Sequence, residues 1–254
     1  MRRIRLTVEY DGTDYAGWQR QENALAVQEV VERALARLTG EKAALTGASR
    51  TDAGVHALGQ TAHFDTMSRI PAEKFSYALN TLLPGDVRIR DSREVSPDFH
   101  ARFSARGKRY RYQIDSAPHA GALTRKTHWH VIYPLDLALM REEAQTLLGR
   151  HDFRAFAASG STVKDAVREI HRAEILQYGR EFVFWVEGTG FLYNMVRILA
   201  GTLVGVGSGK MAPGAFARAL QTGDRLCLGV TAPAHGLTLM QVYYDGDEWS
   251  GSKP

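Results

Sequence analysis

The group in this chain best suited to chemistry is a carboxylate set among small and polar residues. It is Asp52, in the stretch Ala48-Ser49-Arg50-Thr51-Asp52-Ala53-Gly54-Val55-His56-Ala57. An aspartate ionises near about pH 3.9, and a neighbouring cation such as Arg50 favours its charged form. Such an anion acts as a nucleophile or base unaided, whereas a serine hydroxyl needs a partner base. Ala53 and Gly54 let a large group approach the backbone closely. The same residues would also make a tight turn pinned by an Arg–Asp pair, because short polar motifs are seldom specific alone. Two further side chains stand out. Tyr110 shares a strand face with Tyr112 and Ile114, which by itself suits a ring in the core. Arg197 interrupts an apolar helical stretch, where burial is costly without a carboxylate partner unless the side chain reaches solvent.

The elements that would position these residues follow from periodicity. Ile4, Leu6, Val8 and Tyr10 alternate with polar residues, which predicts a strand with one buried face, ended by Asp11-Gly12-Thr13-Asp14. Gly17-Trp18-Gln19-Arg20-Gln21 reads as a polar loop with Trp18 as a plug at the core's edge. Val27, Val30, Val31, Ala34, Leu35 and Leu38 recur at helical spacing up to Gly40. After the Asp52 loop come a strand from Gln60, a helix opened by Pro71 and a strand at Val87–Ile89. The segment Ser96–Ala105 lacks periodicity and is taken as a crossing between two halves, 1–104 and 105–254. The second half reads as a strand through Arg109–Ile114, a strand-like run Thr127–Tyr133, and a helix from Leu137 stopped by Gly149. A hairpin follows around Gly179, then a helix from Phe191 to Val206, a short helix after Pro213 and a closing strand Leu237–Tyr244. The tail Asp245–Pro254 is polar and expected to fray. The order of elements predicts an α+β fold of two related halves sharing one extended sheet.

Composition bounds the class. A chain of 254 residues buries a core without disulfides or structural metals. Cys227 is alone, which excludes an intramolecular disulfide framework and a thiolate zinc site and suits a reducing cytosol. Met1-Arg2-Arg3-Ile4-Arg5 is basic but no apolar stretch follows, so it is not read as a signal peptide. No apolar run approaches the roughly 20 residues of a bilayer span, and the expectation is a soluble cytoplasmic protein with no membrane partner. Net charge is only +4, with arginine outnumbering lysine 25 to 7. Arg102, Arg106, Lys108, Arg109 and Arg111 cluster without an intervening Asp or Glu, which points to a polyanionic partner.

Several motifs in order carry a resemblance. Arg50-Thr51-Asp52-Ala53-Gly54-Val55-His56-Ala57 resembles the catalytic loop of the TruA family of tRNA pseudouridine synthases. The likeness extends through Glu9-Tyr10-Asp11-Gly12, Gly17-Trp18-Gln19-Arg20-Gln21, Leu83-Pro84-Gly85-Asp86 and Asp98-Phe99-His100-Ala101-Arg102-Phe103-Ser104-Ala105. It continues through Arg109-Tyr110-Arg111-Tyr112, His151-Asp152-Phe153, Gly190-Phe191-Leu192 and Met195-Val196-Arg197. The chain departs from that pattern at Ser49, where family members commonly carry glycine. The resemblance implies a pseudouridine-synthase fold with a mostly antiparallel sheet, an active cleft between the halves, and a homodimer. It implies isomerisation of uridine to pseudouridine in the anticodon stem-loop of tRNA, with neither cofactor nor metal. Asp52 would act on the ribose, Tyr110 would stack on the flipped uracil, and Arg197 would pair with Asp52. Arg50 would hold the displaced nucleotide, and Arg20, Arg102, Arg106, Lys108 and Arg111 would meet the RNA backbone. The rival readings are a non-catalytic RNA chaperone using the same basic surface and a hydrolase that releases free uracil.

Three other signals are set aside. His128 and His130 would share a strand face but lack a third ligand at supporting spacing. Gly205-Val206-Gly207-Ser208-Gly209-Lys210 imitates a phosphate loop but lacks the first glycine and has Met211 where Ser or Thr belongs. His56 is taken as structural or RNA-facing, because nothing near it forms a nucleophile pair.

Overall fold

The computed structural model describes residues 1–157 and 165–249. Among them are ten strands and five α-helices, numbered in chain order, in two compact units. The first unit comprises Met1–Arg106 with Thr238–Asp247, and the second comprises Gly107–Leu237 with Glu248–Pro254.

In the first unit the predicted alternation builds the sheet. β1 (Arg2–Tyr10) sends Ile4, Leu6 and Val8 into the core. It pairs antiparallel with β3 (His56–Thr66) on one side, Leu6 facing Ala62, and with β4 (Val87–Val95) on the other, Val8 facing Ile89. A two-residue β2 (Thr46–Gly47) pairs with β3, and β10 (Leu237–Tyr243) runs parallel to it with Leu239 opposite Ala57. Two helices cover the sheet. α1 (Val27–Thr39) buries Val27, Val31, Ala34 and Leu35, and Gly40 ends it in the left-handed conformation, as its sequence predicts. α2 (Lys74–Asn80) starts one turn later than expected, because Pro71 forms a turn in which its carbonyl accepts from Lys74 N. Its Phe75 meets Phe64 edge-on at 5.4 Å.

The second unit is an antiparallel series in the order β5 (Gly107–Asp115), β9 (Glu181–Gly188), β8 (Val167–Tyr178), β7 (Gly149–Asp152). Gly179 turns the β8–β9 hairpin at φ 61°, and β6 (Trp129–His130) adds a short parallel pairing to β5. The helices are α3 (Leu137–Gln145), α4 (Met195–Gly207) and α5 (Ala215–Thr222). The buried Glu143 of α3 accepts from Gly214 N at 2.7 Å and Phe216 N at 2.5 Å, so a carboxylate satisfies donors at the start of α5. The α+β reading with mostly antiparallel strands therefore holds.

Four local expectations change. The stretch Thr127–Tyr133 forms a strand only at Trp129–His130, because Thr127 and His128 spend their N–H groups on Thr124 in a turn. The helix expected from Phe191 begins at Met195, after Asn194 takes a left-handed φ of 60°. α3 ends at Gln145, and Gly149 opens a strand at φ 95° instead of stopping a helix. The tail is engaged through residue 249: Asp245 pairs with Arg106 at 2.7 Å, and Trp249 meets His171 edge-on at 5.0 Å. Residues 250–254 lie outside the described residues. No helix among the described residues is long and apolar enough to cross a membrane.

His63 of β3 fastens the segment that follows β4. Its Nδ1 accepts from Ala101 N at 3.1 Å, which requires the unprotonated nitrogen. Burial, then the charges of Arg3 and His100, push its pKa down to about 4. The folded state thus binds fewer protons than the unfolded chain between about pH 4 and the ordinary value of 6.5. The contribution is complete above 6.5 and is lost as pH falls towards 4. Urea midpoints measured across that window should fall more steeply for the wild type than for His63→Gln, whose amide oxygen still accepts but does not titrate. Parallel slopes would remove His63 from the acid response.

Candidate active site

The Asp52 loop has almost no regular structure of its own, so its shape must come from what packs against it. The turn after β1 supplies that. Trp18 N donates to Thr51 O at 3.1 Å, and Gly54 N donates to Tyr15 O at 3.2 Å. The Tyr10 hydroxyl and the Thr51 hydroxyl are 2.7 Å apart in a buried hydrogen bond. Trp18 is buried as a plug, its ring 6.0 Å from that of Tyr10. Two glycines permit the approach. A Cβ on Gly12 would lie 2.0 Å from Val55 O, and one on Gly17 would lie 2.5 Å from Thr51 O. Gly17 also sits at φ 92°, which side-chain-bearing residues rarely adopt.

From the other side, Gln60 of β3 clamps the start of the loop. Its amide donates to Ser49 O at 2.7 Å, and its Oε1 accepts from Ser49 N at 3.2 Å. Asn194 is the one non-glycine with positive φ among the described residues, so Ser49 carries no left-handed strain in place of the family's glycine. Within this frame Val55 N closes a turn on Asp52 O at 3.1 Å, and the Asp52 side chain is half-exposed while Thr51 and Val55 on either side are buried. Arg50 is exposed beside it. His56 is buried, its Nδ1 3.0 Å from Gly12 N and 3.1 Å from Asp11 Oδ1, which gives it a structural task.

In the second unit Tyr110 is nearly buried and meets Phe191 edge-on at 5.1 Å. Its neighbour on the same face, Tyr112, is sealed and donates to Pro233 O at 2.8 Å; burial pushes its pKa up. Arg197, half-buried near the start of α4, donates from Nε to Ala232 O at 2.8 Å and from Nη1 to Asn194 Oδ1 at 2.9 Å. Asn194, which sequence reasoning passed over, therefore both starts the helix and orients the guanidinium. A non-glycine in the left-handed region leaves little trace in a single sequence, although Asn tolerates it better than most residues.

The remaining basic residues have separate surroundings. Arg20 is exposed and 3.4 Å from Glu32. Arg102 is exposed beside Phe103, and Lys108 is half-exposed. Arg106 forms an exposed pair with Asp245. Arg111 lies 5.9 Å from the Trp185 ring, and desolvation lowers its pKa. Among the described residues no group of three or more His, Cys, Asp and Glu side chains could hold a metal. His128 contacts Glu181 at 3.1 Å and His130 contacts Ala117 O at 2.7 Å. The phosphate-loop imitation falls at the C-terminal end of α4, where carbonyls face outward instead of N–H donors.

Known proteins match the chain along most of its length. A family model described as tRNA pseudouridine synthase matches residues 6–104 and 144–245. The tRNA pseudouridine synthase A of Ruminiclostridium cellulolyticum is 53% identical over 245 residues, covering 96% of this chain and 100% of that protein. That of Acetivibrio thermocellus is 51% identical over 244 residues, with the same coverage. A chain in the crystal structure of the archaeal box H/ACA sRNP Nop10–Cbf5 complex is 15% identical at TM-score 0.33, covering 79% of this chain and 44% of that one.

The close approach at Gly17 gives a direct check on the loop's support. Gly17→Ala should cost about 2–4 kcal/mol in stability, combining backbone strain with overpacking. It should also speed hydrogen exchange at Gly54 N–H, whose partner is Tyr15 O. A variant with unchanged urea midpoint and exchange would show that the loop does not depend on this contact.

Proposed function

Because the chain belongs to the tRNA pseudouridine synthase family, we propose that it isomerises uridine to pseudouridine on the 3′ side of the tRNA anticodon stem-loop, with Asp52 acting on the ribose. The observation that carries this reading is a half-exposed carboxylate on a loop braced from both sides, inside the stretch the family model matches. The reaction breaks the bond between ribose C1′ and uracil N1, turns the base, and joins C1′ to C5. The proton on C5 leaves, N1 takes one up in its place, and nothing is consumed. Positive character develops on the sugar as the first bond breaks, and an anionic carboxylate stabilises it. Asp52 either attacks C1′ or removes a ribose proton to give a glycal, and both routes use the ionised form.

The base must leave its stack before it can turn, at a cost of a few kcal/mol. Tyr110 offsets part of that by stacking on the uracil, and in this proposal its hydroxyl holds or moves the proton at C5. Arg197, whose guanidinium Asn194 orients, would serve in this proposal as the cation that keeps Asp52 anionic. Arg50 holds the displaced nucleotide or the phosphate beside it. Arg20, Arg102, Arg106, Lys108 and Arg111 follow the RNA backbone, Arg106 by exchanging its exposed carboxylate partner for phosphate. The reading places the enzyme in the cytoplasm as a homodimer, with tRNA as its macromolecular partner.

Release of tritium from 5-tritiated uridine in tRNA tests the assignment. Wild type should release it, and Asp52→Asn should fall about a thousandfold or more while still binding tRNA. Asp52→Asn with normal release would end the catalytic role, and free uracil among the products would replace the isomerase with a hydrolase. Tyr110→Phe should bind tRNA but turn over slowly; undiminished turnover would limit Tyr110 to stacking.

A further inference from the structure

The turn between β4 and β5 presents an aromatic ring largely to solvent. Phe103 is 77% exposed, although the residues around it are closely tied down. His100 accepts from both Arg102 N and Phe103 N through Nδ1, each at 3.2 Å. Ser104 closes the turn with one donor and one acceptor: its N–H donates to His100 O at 2.9 Å, and its hydroxyl accepts from His100 N at 3.0 Å. The turn is itself anchored to the sheet. Ala101 donates to His63 and accepts from the Tyr244 hydroxyl at 2.7 Å, and Arg3 donates to Phe99 O at 2.8 Å. One face of the Phe103 ring lies against the His100 ring, with centroids 4.3 Å apart and planes tilted by 30°. The Arg102 guanidinium sits 5.8 Å from the same ring.

A flexible exposed phenylalanine would call for no explanation, because apolar atoms are common on protein surfaces. This one is held by a hydrogen-bonded turn and backed by a second ring, so little conformational freedom remains to be lost when something stacks on it. An aromatic face beside an exposed arginine matches a nucleotide, whose base stacks and whose phosphate is anionic. An apolar protein partner would offer the cation no anion to meet.

We propose that Phe103 is a stacking platform for an unpaired nucleotide of the tRNA, backed by His100, with Arg102 holding the adjoining phosphate. The inference rests on tRNA being the substrate. It adds a binding subsite separate from the ring assigned to the reacting uracil.

Binding of an unmodified tRNA transcript to the full chain, measured across a range of salt concentrations, tests it. Phe103→Ala should weaken binding about tenfold, as loss of one stacked base does. Its slope of log affinity against log salt should stay that of wild type. Phe103→Trp should restore affinity and show indole fluorescence quenched by tRNA, while Phe103→Leu should behave like alanine. Arg102→Ala should instead reduce the salt slope by about one. Binding of Phe103→Ala within twofold of wild type would overturn the platform, as would full recovery by leucine. A changed oligomeric state in Phe103→Ala, read by sedimentation, would also overturn it, by assigning the ring to a protein interface. Wild type that neither binds tRNA nor releases tritium would remove the functional reading itself, an outcome distinct from normal wild-type turnover with an indifferent Phe103.

Discussion

The contact on which the first unit depends is one of backbone against backbone. Residues 51–55 have no helix or ladder to fix them, and they are shaped instead by the turn at Gly12–Trp18 pressed directly onto their peptide groups. Such an approach needs residues without Cβ, a buried partner for each peptide group, and a plug that fills the space behind. Gly12 and Gly17, the donors Trp18 N and Gly54 N, and the Trp18 ring meet those needs in turn. This explains why the N-terminal block and the Asp52 loop occur together in the sequence although some forty residues separate them. Each supplies hydrogen-bond partners to the other's peptide groups. The tilted Trp18 and Tyr10 rings add contact area, but the hydrogen bonds set the register.

A second constraint governs how the arginines are used. The alternation of β5 divides Arg109-Tyr110-Arg111-Tyr112 between two faces, the tyrosines lying with the helices' core and the arginines opposite. There Glu187 is fully buried, and a buried carboxylate requires charged or hydrogen-bonding partners. Arg109 at 2.5 Å and Arg172 at 3.3 Å supply them. Arg111 and Arg172 both approach the Trp185 ring to 5.9 Å. Five cations within ten residues of sequence are therefore not one patch of positive surface. Arg106 faces Asp245, Arg109 serves a buried anion, and Arg111 lies over an indole. Arg102, whose neighbour is an exposed ring, has the setting most open to an anion from outside.

Much of this was legible before any coordinates. The strands and helices with clean period two or 3.6 appear where the alternation puts them, in β1, α1, β5 and the β8–β9 hairpin. Errors fall where a hydrogen bond outside the local pattern decides the outcome. Thr124 captures the donors of Thr127 and His128, and a left-handed Asn194 delays α4. Periodicity carries no information about such partners, because they are distant in sequence or depend on a single dihedral. The Asp52 loop was legible as a motif but not as a structure. Its residue types announce chemistry, whereas the bracing by Gln60, Tyr10 and Gly17 is visible only once β1 and β3 lie side by side. The Phe103 turn was invisible for a related reason: His100 and Ser104 secure it through backbone atoms, which leave no hydrophobic pattern.

The Ser49 position shows how the brace tolerates change. Gln60 bonds to both the donor and the acceptor of Ser49's own peptide groups, so it reads backbone and ignores the side chain. Any residue small enough for the buried site, without need of positive φ, meets that demand, and serine does. The proposed chemistry has a matching asymmetry. The sugar must stay fixed through the whole cycle, while the base alone lets go, turns and rejoins. A carboxylate that shifted with its loop would lose the alignment that makes an intramolecular attack fast. A group held by peptide hydrogen bonds from two sides keeps that alignment without gripping the base. On the proposed reading, the part of the protein that must be still is built from backbone contacts, and the turning base would be left to rings and cations whose hold is strong but not directional.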